Sequence, residues 1–328
     1  MMAKNTVSSV LLVNDQPPIS GVGKYGILLY MYFKRIIDKK QLGLKVRFLD
    51  LFSLTSERFS PIPLRFSSLW YPILSVSRKS QIIHILNHGL LVNSIPLLRI
   101  KGKKIVITVH DLIPLLYPQG ISDRISSKWL SNIRNADIIL SVSNNTKKDI
   151  IRVLKIKEKK IRVIHLGVDH NLFKPREKRI ARSKFRLPRD VPIIMHVGAE
   201  KPRKNITTLL KAFNLLLKRF PKALLIRVGK RNQEDSHNVW RLIKSLNIRE
   251  KVIYFQNLKE ADLAYLYNCA DVFVFPSLYE GFGLPLLEAM ASKLPIIASK
   301  IPVFLEIIGK NGILLDPYDV EGFASSIV

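Results

Sequence analysis

Short continuous apolar runs, each followed by a turn or a stretch of helical period, recur along the whole chain and set its fold class. In the first half they are "VSSVLLVND" (7–15), "KVRFLDLF" (45–52), "QIIHILNHG" (81–89), "KIVITVHDL" (104–112) and "ADIILSVS" (136–143). In the second half they are "VPIIMHVG" (191–198), "ALLIRVG" (223–229), "KVIYFQN" (251–257), "ADVFVFPS" (270–277), "LPIIASK" (294–300) and "GILLDP" (312–317). Most are uninterrupted rather than alternating, the pattern of strands buried on both faces of a parallel sheet. Helical-period segments lie between them: "KYGILLYMYFKRIIDKK", "NITTLLKAFNLLLKRF", "EADLAYLYNCA" and "GLPLLEAMASK". Strands alternating with helices predict an α/β architecture with parallel sheets.

The 328 residues suit two domains of ordinary size. A highly charged segment with two prolines, residues 161–190, lies between the two strand series. This reads as two Rossmann-like domains, residues 1–166 and 167–328. Ligands of open parallel sheets bind beyond the carboxyl ends of the strands. Two such domains facing one another would frame a cleft lined by strand-end loops.

The net charge of +28, from 53 basic and 25 acidic residues, favours anionic partners: nucleotides, phosphates, nucleic acid or an anionic membrane. Cys269 is the single cysteine, which excludes an internal disulfide and makes a reducing compartment the default. No apolar run is long enough to span a bilayer, and the N-terminus reads as a first strand rather than a cleaved signal. The expected location is cytoplasmic, or peripheral at the inner membrane face.

Several strand ends carry chemistry. "QPPISGVGKYG" brings Gly21 and Gly23 to the opening of a helix, where glycine backbone can approach a phosphate; a plain strand-to-helix turn reads equally well. In "VHDLIPL", His110 either donates a hydrogen bond to a sugar or phosphate oxygen or is a structural histidine satisfied by backbone. In "VGAEKPRKNITTLLKAF", Arg203 and Lys204 precede Asn205, read as a helix N-cap. Two cations there oppose the helix dipole unless an anion joins them, which marks a phosphate site; a solvated basic turn is the alternative.

The stretch "PSLYEGFGLPLLEAMASK" sets two acids, Glu280 and Glu288, around a glycine–aromatic–glycine turn. Pro285 suits a helix start. The backbone amides of Gly281, Phe282, Gly283 and Leu284 would face the cleft and cradle a diphosphate. The carboxylates can accept hydrogen bonds from vicinal sugar hydroxyls. Amides for phosphate and carboxylates for hydroxyls are what a nucleotide sugar requires.

"EGFGLPLLE" resembles the Glu-x7-Glu motif of retaining GT-B glycosyltransferases, the family 4, group 1 type. "SGVGKY", "VHDLIPL", "SVSNNTKKDI", "VIHLGVDHNLFKP", "HVGAEKPRKN" and "ADVFVFPSLYEGFG" match in order over nearly the whole chain. The resemblance implies a nucleotide-sugar donor on domain 167–328, an acceptor on domain 1–166, and transfer with retention and without a metal. It implies that Arg203 and Lys204 contact the donor diphosphate, Glu288 the ribose hydroxyls, and Glu280 the donor sugar near its anomeric carbon. Gly21 and Gly23 would let the first domain approach the diphosphate, His110 would touch the transferred sugar, and residues 255–258 would border the base. No cofactor beyond the GDP- or UDP-linked donor is implied. The "PRKN" form, by resemblance, leans toward GDP-mannose; UDP-glucose or another UDP-sugar is the alternative. Many members place an arginine after the strand-ending glycine; here that position is Ala199. Members also continue with helices past the point where this chain ends at "DVEGFASSIV".

Residues 147–186 hold 15 basic and 4 acidic residues, and "PLRFSSLWYPILSVSRK" (63–79) mixes aromatics with cations. Both suit a peripheral contact with an anionic membrane and a lipid-linked acceptor; packing of 63–79 on the first core is the alternative. Nucleic-acid binding is supported by charge alone. No basic recognition helix, zinc spacing or aromatic RNA platform accompanies it, so no nucleic acid is expected. Oligomeric state is left open.

Overall fold

The computed structural model describes residues 9–14, 16, 21–41, 43–50, 80–87, 95, 98, 102–117, 130–230 and 233–327. The chain divides into two compact units, Met1–His165 and Leu166–Val328.

In the first unit, six strands form one parallel sheet: β1 (Ser9–Asn14), β2 (Lys45–Asp50), β3 (Ile82–Ile85), β4 (Lys104–Val109), β5 (Ile138–Ser141) and β6 (Ile161–Val163), in the order β2-β1-β3-β4-β5-β6. Helix α1 (Gly21–Lys40) joins β1 to β2, and α2 (Asn144–Leu154) follows β5. The Ser143 hydroxyl caps α2 by accepting from the Thr146 amide at 3.0 Å. Leu11, Val13, Ile83, Ile85, Ile105 and Ile107 are almost wholly buried in one core. Strand β6 falls at the start of the charged stretch 161–190, which the sequence reading does not list among the strands. Its three residues pair Ile139 with Ile161 at the sheet edge, where the exposed Arg162 is well tolerated. An edge strand this short leaves no readable apolar run.

The second unit repeats the plan with β7 (Ile193–Val197), β8 (Leu224–Val228), β9 (Val252–Phe255), β10 (Val272–Phe275), β11 (Ile296–Ser299) and β12 (Ile313–Leu315), ordered β12-β11-β10-β7-β8-β9. Its helices are α3 (Lys178–Lys184), α4 (Ile206–Arg219), α5 (Gln233–Ser245), α6 (Glu260–Cys269), α7 (Leu284–Ala291), α8 (Pro302–Ile308) and α9 (Val320–Ser326). Successive residues feed opposite cores. Met195, Phe273 and Phe275 pack with Tyr267 and Phe304, while Ile194 and Val274 pack with Leu210 and Phe213. Burial on both faces is why these strands read as continuous apolar runs. Each such side chain contributes about 1.5–3 kcal/mol of burial.

Part of the basic stretch 147–186 is internal. Arg182 is 3% exposed and donates to the Cys269 carbonyl at 2.9 Å, the Val191 carbonyl at 3.1 Å and the Asp271 carboxylate at 2.8 Å. It clasps α3 to the start of β10. Lys178 pairs with Asp271 and Lys184 with Asp262. Segment 63–79 lies outside the described residues. Among the described residues, no helix is long and apolar enough to cross a membrane.

Candidate functional site

The second sheet reverses direction between β7 and β10: the chain runs outward through β8 and β9, then returns to the other side of β7. Such a switch point opens a crevice at the carboxyl ends of the two strands, where doubly wound sheets take ligands. The loops leaving it are 198–205 after β7 and 276–283 after β10, and they carry most of the expected site.

These loops are stitched together. The Leu278 amide donates to the Arg203 carbonyl at 2.7 Å. Arg203 Nη1 donates to the Tyr279 carbonyl at 3.2 Å and to Glu280 Oε2 at 2.9 Å. Lys204 Nζ donates to Glu280 Oε1 at 2.5 Å. Lys204 and Glu280 are 8% and 7% exposed. The sequence reading assigns the cations to phosphate and Glu280 separately to sugar; the structure brings all three together. The anion that lets two cations precede α4 is the Glu280 carboxylate. Burial alone would raise the Glu280 carboxyl. The Lys204 and Arg203 charges, with the hydrogen bond from Lys204, hold it below its ordinary value.

Asn205 stands at the N-cap position of α4, but its side chain makes no cap bond to the helix amides. It sits in the left-handed region (φ 52°, ψ 44°), which asparagine tolerates better than most residues. Its Nδ2 donates to the Pro317 carbonyl at 2.7 Å, and its Oδ1 accepts from the Thr208 hydroxyl at 3.0 Å. The N-cap expected from sequence is therefore a brace between α4 and the loop after β12.

After β10, Gly281, Phe282 and Gly283 are buried, and Leu284 opens α7 half-buried. Gly283 has φ +119°, a geometry side chains rarely adopt, and turns the loop into the helix. Glu288 lies one turn along, half-buried, and its Oε2 accepts from the Tyr267 hydroxyl at 2.7 Å. Tyr267 is fully buried on α6; burial first, then the Glu288 charge, push its phenol well above the ordinary value. Phe255 at the end of β9 packs edge-on against Phe185, ring centroids 5.6 Å apart.

Beneath these loops lies a layer the sequence reading does not identify. Arg227 Nη1 pairs with Glu200 Oε1 at 2.9 Å, both side chains 1% exposed. The other Glu200 oxygen accepts from the Ser236 hydroxyl on α5. Arg227 also lies over the Tyr254 ring at 5.2 Å. A Cβ on Gly229 would stand 2.1 Å from the Gly198 carbonyl oxygen, so only glycine lets the ends of β7 and β8 meet. A lone arginine inside the apolar run "ALLIRVG" is the available signal, since a cation in a buried strand demands a partner.

In the first unit, Gly21 and Gly23 form the first turn of α1, and residues 17–20 before it lie outside the described residues. At Gly26 a Cβ would meet the Leu86 side-chain carbon Cδ1 at 3.0 Å. His110, 7% exposed, donates Nε2–H to the Leu86 carbonyl at 3.0 Å and meets the Tyr25 ring edge-on at 5.1 Å. Beside it, His84 Nε2 is hydrogen-bonded to Thr108 Oγ1 at 2.8 Å, and Thr108 to the Tyr25 hydroxyl at 3.3 Å. Burial, then the nearby His110, lower His84 to about 4.

Residues 177–328 match the model of the Glycosyl transferases group 1 family, and residues 38–172 that of Glycosyltransferase Family 4. The chain is 31% identical over 236 residues to the O-antigen chain mannosyltransferase B of Escherichia coli, an alignment covering 69% of this chain and 61% of that protein. The chain thus spans about three fifths of that relative's length. Its fold is similar to sucrose-phosphate synthase from Thermosynechococcus elongatus (TM-score 0.78, 23% identity, 98% of this chain and 88% of that one). It is also similar to Anabaena Alr3699/HepE, solved in complex with UDP and glucose (TM-score 0.76, 19% identity, 98% and 89% covered). At these identities the structural likeness is one of fold.

Proposed function

Because the chain belongs to the group 1, family 4 glycosyltransferases and has their GT-B fold, we propose that it transfers a hexose from a nucleotide-sugar donor to a hydroxyl of a saccharide or lipid-linked acceptor. The observation that carries this reading is the Arg203–Glu280–Lys204 cluster at the switch point of the second sheet. Breaking the sugar–diphosphate bond leaves positive character on the sugar and builds negative charge on the leaving group. Arg203 engages the Tyr279 carbonyl and Glu280 through Nη1, so Nη2 and Nε can meet a diphosphate. Lys204 adds a point charge, and the N-terminal end of α7 at Gly283 and Leu284 adds its dipole. Glu280 accepts from the sugar hydroxyls, and Glu288, held by Tyr267, from those of the ribose.

In this reading the acceptor oxygen bonds to the anomeric carbon from the face the diphosphate leaves. The acceptor proton passes to a departing phosphate oxygen, and configuration is retained. A carboxylate held by two cations is a poor nucleophile, which favours this route over double displacement through Glu280.

GDP-mannose is the preferred donor, and the name of the E. coli relative, a mannosyltransferase, supports the sugar. A UDP-sugar is the second reading, favoured by the UDP and glucose in the HepE complex. A donor panel scored by released nucleotide, with product anomer assigned by NMR, tests both. GDP-mannose turnover to an α-linked product is expected. If no nucleotide sugar binds or reacts, while nucleic acid binds with a steep salt slope, the enzyme reading fails.

A further inference from the structure

Helix α5 packs Val239, Leu242 and Ile243 into one core of the second unit. His237, Trp240, Arg241 and Lys244 stand at i, i+3, i+4 and i+7, which sets them along another face of the same helix. With Arg249, from the turn after the helix, they line a cavity of about 590 Å³ based on Ile243, which is 1% exposed. Trp240 is half-buried, part of it against the core and part lining the cavity. His237, Arg241, Lys244 and Arg249 are exposed. Among the described residues no acid lines the cavity; Glu250, next to Arg249, is not part of it.

This cavity is separate from the switch point. The parallel strands run toward the candidate site and α5 returns from it, so Lys244 and Arg249 lie near the amino ends of the strands, at the opposite end of the unit from Arg203, Lys204 and Glu280. Its charges call for an anion. Arg241, Lys244 and Arg249 make no hydrogen bond or ion pair among the described residues. The dipole of α5 favours Lys244, in its last turn, but accounts for neither Arg241 nor Arg249. An indole beside three fixed cations matches a ligand with a flat ring and several negative charges. Every nucleobase has a face that stacks on an aromatic side chain, and arginine donates to phosphate oxygens in pairs. A neutral saccharide would use the ring and leave the cations unmatched, and the volume suits one small ligand rather than a polymer.

We infer that this cavity is a second ligand site that takes a nucleoside triphosphate, with the base on Trp240 and the phosphates among Arg241, Lys244 and Arg249. The inference stands apart from the proposed transfer reaction, and its test needs no turnover. Trp240 is the single tryptophan of residues 166–328, so its fluorescence, read as the difference between the full chain and its Trp240→Phe variant, reports on the cavity. ATP, GTP and UTP are titrated in turn without added metal, and a saturable quench is expected. An exposed charge pair at contact distance is worth about fivefold in water, so Arg241→Gln with Lys244→Gln should raise the quench midpoint about 25-fold. Both side chains are exposed, so the melting temperature of that variant should hold. By calorimetry, Trp240→Leu should weaken one nucleotide-binding component about tenfold or more. Inorganic tripolyphosphate, which lacks the ring, should compete with ATP at least about tenfold less tightly than ATP itself. The inference is overturned by any of three results: no saturable quench with any of the three nucleotides, an unchanged midpoint in the Arg241→Gln, Lys244→Gln variant, or tripolyphosphate or glucose 1,6-bisphosphate displacing ATP as tightly as ATP binds.

Discussion

Lys204 Nζ and Glu280 Oε1 stand 2.5 Å apart although 76 residues separate them in the chain. Their strands, β7 and β10, are neighbours only because the second sheet reverses there. Both side chains are nearly buried, so each depends on the other for its charge to be tolerated.

Removing Glu280 takes the carboxylate from Lys204 and Arg203 and weakens the fold. Glu280→Ala should lower unfolding free energy by about 3–5 kcal/mol, the usual effect of breaking a buried pair. Inorganic pyrophosphate should restore part of it by returning an anion to the two cations. Transfer should be lost while nucleoside diphosphate binds at least as well as to wild type. Collapse of nucleotide affinity in calorimetry would place Glu280 on the nucleotide rather than the sugar.

The Glu200–Arg227 pair is expected to show a large coupling. Arg227→Met alone leaves a buried carboxylate and should cost about 3–5 kcal/mol in urea unfolding. Glu200→Leu with Arg227→Met should recover much of that loss, because neither charge is then left in the interior. A double variant no better than the single one would mean that the other contacts of Arg227 carry its stability.

Tyr267→Phe removes the donor to Glu288 and nothing else of that side chain's packing. Donor KM should rise about 10- to 100-fold with kcat changed little, since an uncharged donor to a carboxylate is worth about 1.5–3 kcal/mol. A fall in kcat at constant KM would contradict a ribose-holding role for Glu288.

His84 predicts a pH slope. Its imidazole titrates near 6.5 when unfolded and near 4 when folded. Between those values the unfolded chain holds the extra proton. Stability is therefore complete above about pH 6.5 and falls by up to about 3 kcal/mol as pH drops toward 4. His84→Gln, which can keep a bond to Thr108, should flatten the slope by about one proton. Glu280 acts in a lower window. Its folded value is depressed, so its contribution is present above the ordinary carboxylate value and is lost as pH falls through the depressed one.

The two parallel sheets and the loops bearing Arg203, Lys204, Glu280 and Glu288 were readable because buried strands and glycine turns leave local patterns. What stayed hidden was pairwise. The ion pairs of Glu280 depend on which strand lies beside β7, and strand order leaves no mark in local composition. Strand β6 escaped because three residues at a sheet edge have no period to detect. Asn205 stands at the N-cap position read from sequence, but its side chain makes no cap bond, because the Pro317 carbonyl claims its amide across 112 positions. Arg227 was the one missed residue with a visible signal.

The contact between Gly229 and the Gly198 carbonyl bears on how specificity in this chain can drift. Any base change that alters the amino acid at codon 229 adds a Cβ, and the nearest atom of Gly198 leaves no space for one. That corner is closed to gradual substitution. On the proposed reading, new donor preferences would have to come from neighbouring side chains such as those ending β9, while the backbone carrying the two cations stays in place.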